Sequence, residues 1–236
     1  MTDLSKSPDR IAGMFDAIAR RYDFLNHLLS AGVDHRWRRR AVASLQLSGS
    51  ERVLDLCTGT ADLAIAALRA RPAAAHVVGV DFAGAMLQVG LRKLTRVGLT
   101  GRVALVRGDA TRIPLADASV DAVTIAFGIR NVEQTAVACA EMCRVLRPDG
   151  RLAILEFAVP TTPGVRTLYL WYLNRVLPWI GRVVSRHDAA YGYLPASIGA
   201  FTSQDDFVKI LRQAGFRDTA SVRLTFGSVI LYTARK

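Results

Sequence analysis

The sequence predicts a doubly wound α/β fold, with a mostly parallel seven-stranded sheet ending in an antiparallel hairpin. Three observations predict it. Short, almost continuously apolar runs alternate with helical stretches through the middle of the chain, the mark of parallel strands covered on both faces. The 236 residues, 51% hydrophobic and 22% charged, fit one large α/β domain and exclude a disordered, collagenous or coiled-coil chain. The last two apolar runs lie too close together for a crossover helix, so they pair antiparallel.

The elements follow in order. Residues 1–48 read as an N-terminal helical extension, with candidate helices at Arg10–Arg21 and His35–Leu45 and a break at Ser30–Gly32. Arg52–Cys57 is the first strand, and Thr58-Gly59-Thr60 leads into an Ala/Leu-rich helix that reaches Ala70. His76–Asp81 is the second strand and Gly84–Arg96 its helix. Arg102–Arg107, Val120–Phe127 and Arg151–Val159 give three more strands. Val132–Leu146 is helical and stops at the turn-forming Pro148-Asp149-Gly150. Residues 160–202 leave the pattern and read as a helical lid, rich in Leu and aromatics. At 100° per residue Arg175, Arg182 and Arg186 gather opposite Arg166, which suits a helix at a membrane surface or over a lipid tail, interrupted by Pro178. A plain lid packed on the core is the other reading. A helix at Asp205–Ala214 and the runs Thr219–Leu224 and Ser228–Thr233 complete a single domain over residues 1–236.

The net charge is +11, from 31 Lys and Arg against 20 Asp and Glu. The excess sits in the flanks. Residues 1–40 carry 8 basic and 5 acidic side chains, residues 41–159 carry 13 and 11, and residues 160–236 carry 10 and 4. Such a surface attracts nucleic acid, anionic lipid or an acidic partner. It also follows from plain composition, because 27 of the 31 basic residues are Arg. Cys57, Cys139 and Cys143 offer no disulfide framework, the opening MTDLSKSPDR has no apolar signal core, and no run of 18 apolar residues occurs. A cytoplasmic protein in a reducing compartment is expected. Cys139 and Cys143 share a helix face but match no zinc spacing, so they read as buried thiols and no metal is expected.

In a doubly wound sheet, ligands bind beyond the carboxyl ends of the strands. The first strand ends in Asp55-Leu-Cys-Thr-Gly59-Thr60-Ala-Asp62, where Gly59 permits a tight turn and close backbone approach. The other positions of a G-x-G-x-x-G fingerprint hold Thr58 and Ala61. Asp81 ends the second strand, where an acid can bind both hydroxyls of a ribose or simply cap the next helix. Asp109 ends the third, where an adenine amine could find an acceptor.

These segments carry a resemblance. VLDLCTGTADLA, VVGVDFAGAML, LVRGDATRIPL and RVLRPDGRLAILEF are similar to successive motifs of class I S-adenosylmethionine-dependent methyltransferases, which have a Rossmann-like sheet. More narrowly, almost the whole chain resembles the UbiE/MenG family of quinone-biosynthesis C-methyltransferases. One family signature stands here as Tyr22-Asp23, Asn26, Ser30, Asp34-His35 and Trp37, with Asp34 at the family's His position and His35 one place later. Another runs from Arg144 to Ala158 and departs at Asp149, usually Gly, and at Ala158, usually Ser. Phe127-Gly-Ile-Arg130-Asn131-Val matches the family closely, although the preceding Ser is Ala126 here. The resemblance implies S-adenosylmethionine contacts at Gly59, Thr60, Asp81, Asp109 and Ala110, while Asp55 reads as a brace for the loop.

The expected reaction is C-methylation of a polyprenylated quinol ring, demethylmenaquinol to menaquinol, with the ubiquinone-branch benzoquinol as the alternative acceptor. Ring carbons are poor nucleophiles, so a quinol hydroxyl must lose its proton and a cation must hold the phenolate. Arg130, after the fourth strand, is the candidate cation, with a structural salt bridge as its other reading. Asp23, His35, His187 and Asp188 are the candidate bases, unranked. Peripheral contact with an anionic membrane through the basic flanks is expected, and nucleic acid is not. Two rivals remain. The basic flanks suggest an RNA methyltransferase, though the fourth strand ends in AFGIRN and not in an Asn/Asp-Pro-Pro-aromatic motif. The altered Thr58, Ala61 and Ala126 suggest a non-catalytic cofactor-binding subunit.

Overall fold

A computed structural model describes residues 6–30, 32–70, 76–176 and 188–236. Helices α1 (Pro8–Leu29) and α2 (Asp34–Ser44) precede the sheet. The alternating core follows as β1 (Arg52–Leu56), α3 (Asp62–Ala70), β2 (His76–Asp81), α4 (Gly84–Arg96), β3 (Val103–Arg107), β4 (Val120–Ala126), α5 (Thr135–Val145) and β5 (Leu146–Phe157). Helix α6 (Pro163–Trp171) runs into a π-helical turn at Tyr172–Val176, and α7 (Asp188–Ala200), α8 (Gln204–Gln213), β6 (Arg217–Leu224) and β7 (Val229–Arg235) complete the chain.

The strand order is β3-β2-β1-β4-β5-β7-β6. Strands β1 to β5 pair in parallel, and β7 runs antiparallel to both β5 and β6, as the short final connection requires. Successive side chains in a strand point to opposite faces, so the apolar strands feed two cores. Leu54, Leu56 and Val123 pack with Met142 of α5 and Phe207 of α8 on one face. Val53, Val77 and Leu155 pack with Trp37 of α2 and Leu63 and Leu68 of α3 on the other. Local signals end the elements where the chemistry allows. Pro163 opens α6, where its missing N–H costs nothing, and the Ser203 hydroxyl accepts the Asp206 N–H to cap α8.

Two expectations are corrected. Helix α1 continues eight residues past Arg21 to Leu29, because no Gly or Pro stands between Arg21 and Ser30 to end it. Strand β5 begins at Leu146 and not at Arg151. Pro148-Asp149-Gly150 does not end the pairing. Leu146 stays opposite Val120 and Arg151 opposite Ala122, so the intervening residues bulge out of the ladder. Asp149 adopts φ 63°, and a Cβ on Gly150 would lie 2.7 Å from the Leu146 side chain.

Candidate active site

The turn after β1 is built on left-handed backbone at Cys57 (φ 54°), Gly59 (φ 55°) and Ala61 (φ 66°). Asp55 holds it from beneath, accepting hydrogen bonds from the Thr58 hydroxyl at 2.6 Å, the Thr124 hydroxyl at 3.0 Å and the Ala64 N–H at 3.2 Å. Burial pushes its carboxyl up to about 6 in spite of those donors. Gly128, after β4, packs against the same turn so closely that a Cβ there would lie 2.4 Å from that of Cys57.

The ends of β1, β2 and β3 meet at one rim, as parallel strands must. The Asp81 carboxylate accepts the Gly59 N–H at 2.8 Å and the Ala83 N–H at 2.9 Å, and burial raises its pKa against those donors. The Asp109 carboxylate accepts from the Thr111 N–H at 2.8 Å and hydroxyl at 2.9 Å. Gly59, Asp81, Asp109 and Ala110 all line one cavity of about 110 Å³, with Phe82 and Met86 as apolar walls and Ala126 across from them. Thr60 does not line it. Its hydroxyl donates to Asp23, Lys93 Nζ sits 3.0 Å from it, and Lys93 also reaches Asp23 at 2.5 Å and Asp62 at 2.6 Å. Thr60 therefore joins α1 to the turn by an ion network, which sequence reading missed.

A second, larger cavity of about 510 Å³ adjoins the first and shares Phe15, Tyr22 and Phe127 with it. Its walls are mostly apolar: Met14 and Ile18 of α1, Trp37 of α2, Leu168 and Tyr169 of α6, and Leu194 and Ile198 of α7. Phe127, held at φ 61°, stacks on Phe157 with centroids 4.3 Å apart. Arg130 lines this cavity and is buried, and the structural salt bridge is present. Its Nη1 lies 2.8 Å from Glu156 Oε1 and also donates to the Phe127 carbonyl, while Nε lies 3.3 Å from the Ser197 hydroxyl.

Of the four candidate bases, the two that are described, Asp23 and His35, do not line this cavity. Asp23 is held by Lys93 and Thr60, and His35 is exposed and stacked on His27 at 4.4 Å. His187 and the side chain of Asp188 lie outside the described residues. The carboxylate that does reach the cavity wall is Asp34, which bonds His27 Nδ1 at 2.8 Å, the Ser30 hydroxyl at 2.8 Å and Arg38. Burial opposes its charge, but Arg38, Ser30 and His27 outweigh it and hold the carboxyl below its ordinary value. Ligating atoms of His27, Asp34 and His35 fall within 4.8 Å of one another, with the Asp34 oxygens already engaged by Arg38 and Ser30.

Among the described residues, three buried side-chain atoms have no hydrogen-bond partner: Asn131 Oδ1, Arg38 Nε and Tyr193 Oη. Asn131 lines the smaller cavity, and Arg38 and Tyr193 line the larger. Unmet polar capacity thus gathers on the two cavity walls, where a ligand would meet it. The smaller cavity fits S-adenosylmethionine: two carboxylates at adjacent strand ends suit ribose hydroxyls and an adenine amine, and Asn131 offers an unmet acceptor.

Comparison with known proteins agrees with this arrangement. The ubiE/COQ5 methyltransferase family matches residues 1–236. The "Ubiquinone/menaquinone biosynthesis C-methyltransferase UbiE" of Geobacter sulfurreducens is 45% identical over 236 residues, covering 100% of this chain and 92% of that relative. The "Demethylmenaquinone methyltransferase" of Streptomyces avermitilis is 42% identical over 233 residues, covering 99% and 97%. Among solved structures, a SAM-dependent methyltransferase from Aquifex aeolicus shares the fold, with a TM-score of 0.61 at 18% identity over 84% of this chain and 88% of that one. Fold, motif spacing and full-length identity converge: the chain belongs to the ubiE/COQ5 methyltransferase family.

Proposed function

We propose that this chain methylates a ring carbon of a polyprenylated quinol, converting demethylmenaquinol to menaquinol, with S-adenosylmethionine as methyl donor. The observation that carries the reading is the pair of adjoining cavities: a small one with acids at the strand ends, and a large apolar one that shares Phe15, Tyr22 and Phe127 with it. A lipophilic ring and tail need such apolar walls. The naphthoquinol acceptor is supported by two relatives named demethylmenaquinone methyltransferase.

When bound, S-adenosylmethionine supplies a methyl on a positively charged sulfur, taken up by a ring carbon as a ring hydroxyl gives up its proton. Gly59, Asp81, Asp109 and Ala110 would hold it. The Phe127–Phe157 stack and Trp37 exclude water from the acceptor side, which strengthens every charge interaction there. Arg130, always charged and fixed by Glu156, holds the phenolate as charge develops on it. Asp34, held in its charged form by Arg38, orients that guanidinium and is a poor proton acceptor.

The acceptor cavity opens through a rim that suits a membrane. Leu168 (65% exposed), Trp171 (57%) and Phe226 (82%) all line it yet face solvent, and Arg166 and Arg175 are exposed on the same stretch of chain as Leu168 and Trp171. An apolar rim flanked by arginines fits an anionic lipid surface, from which a polyprenyl tail can enter. No helix among the described residues is long and apolar enough to cross a membrane.

The test offers the purified protein labelled S-adenosylmethionine with demethylated naphthoquinol or benzoquinol, each short-tailed and kept reduced in detergent. Methylated naphthoquinol is the expected product. Methylation of the benzoquinol alone moves the protein to the ubiquinone branch. Transfer to neither, with the methyl donor shown to bind, overturns the quinol reading.

A further inference from the structure

Tyr193 is only 2% exposed, yet its hydroxyl finds no partner among the described residues, and the side chain lines the larger cavity. A buried hydroxyl left without a hydrogen bond costs on the order of 1–3 kcal/mol, so a fold retains one where something else binds it. Its surroundings say what that is. One helical turn on, Ser197 lies 3.3 Å from Arg130 Nε, which ties the α7 face bearing Tyr193 to the guanidinium on the same cavity wall. The charged groups that face Tyr193 are Arg10 of α1, 5.9 Å over its ring, Arg130 after β4, and Glu156 of β5.

We propose that Tyr193 Oη donates a hydrogen bond to a ring oxygen of the acceptor, working beside Arg130 as the second group that holds the phenolate. This rests on the quinol reading and assigns a residue to it. Burial raises the phenol's pKa above its ordinary value, so Tyr193 remains protonated at neutral pH and acts as a donor rather than as the base. The acceptor's own proton leaves by another route, and Tyr193 keeps its proton throughout.

Tyr193→Phe separates this role from a packing role, because it removes one oxygen and keeps the ring. If the hydroxyl serves the acceptor, kcat falls about 10- to 100-fold, with KM changed less, because the bond strengthens as charge builds on the oxygen. The rising limb of the pH–rate profile moves to higher pH, because a phenolate with one donor fewer is harder to form. S-adenosylmethionine affinity stays at the wild-type value, and the melting temperature equals or exceeds the wild-type one, because the hydroxyl loses no partner among the described residues. A variant with wild-type kcat and an unmoved limb overturns the proposal. So does one that melts several degrees lower, which would mean that the hydroxyl had a structural partner. The wild-type arm keeps the two readings apart. If wild-type protein turns over no quinol, the acceptor reading fails by itself, and the melting comparison still reports on the hydroxyl.

Discussion

Arg130 and Glu156 form one buried unit at the ends of β4 and β5: the guanidinium Nη1 lies 2.8 Å from Oε1, and the Arg130 backbone N–H lies 3.1 Å from Oε2 of the same carboxylate. One side chain therefore sets both the arginine's head and the turn that carries it. Removing either partner alone strands a buried charge, which costs about 3–5 kcal/mol.

That pairing gives Arg130 a test that its stability effect would otherwise confuse. Arg130→Met should lose both stability and rate. Arg130→Met combined with Glu156→Gln should regain much of the stability while kcat remains about 10²–10³ below wild type. Arg130→Lys, which keeps charge but not the fork, should recover part of the rate. Denaturant unfolding and steady-state kinetics on the same preparations decide it. A stable double variant at full speed would show Arg130 to be scaffolding.

Asp81 should separate affinity from loop support. Asp81→Asn keeps the shape and one acceptor oxygen, and should weaken S-adenosylmethionine binding by about 2–3 kcal/mol in titration calorimetry. Asp81→Ala should lower stability without ligand further, because both the Gly59 and Ala83 N–H groups lose their acceptor, where Asn forfeits one. Unchanged affinity in a folded Asn variant would remove Asp81 from the cofactor site.

Asp55 imposes a pH dependence. Its carboxyl is raised from 3.8 to about 6 by burial, so folding favours the protonated form. The stability this gives is complete below about pH 4 and is lost as pH rises through about 6, a change of roughly 3 kcal/mol. Urea unfolding across pH 4–7 should show that decline, and Asp55→Asn should flatten it. An equal slope in both proteins contradicts the assignment.

Membrane contact is expected to need the apolar rim as well as charge. Trp171→Ser combined with Phe226→Ser should lower partition onto anionic vesicles about tenfold, and raised salt should lower the wild-type protein's binding further. Phe226 is held at φ 56°, a conformation unfavourable for a bulky residue, so the substitution should not cost stability. Undiminished vesicle binding by the double variant would leave electrostatics alone as the cause.

Much of the site was legible in the chain because its logic is local. Strands and helices declare themselves by period, and parallel strands end on one rim, so periodicity places Gly59, Asp81 and Asp109 together, while Ala110 comes from the family resemblance. Asp55 as a brace was legible for the same reason: it stands three residues before the Thr58 hydroxyl that it accepts from. The bulge at Pro148-Asp149-Gly150 was not, because those residues end a strand or bend one with equal ease, and only pairing with β4 chooses.

The sequence by itself determined the sheet, its antiparallel end and the rim where Gly59, Asp81 and Asp109 converge, since each depends on periodicity and on neighbours in the chain. Only the tertiary structure decided that Thr60 turns to Asp23 and Lys93, that Asp34 and not Asp23 reaches the larger cavity, and that Tyr193 carries a hydroxyl unmet among the described residues. Whether a polar atom is satisfied depends on every group packed round it. For Thr60 those groups come from positions 23 and 93, and for Tyr193 from positions 10, 130 and 156, brought together only once the helices have closed over the sheet.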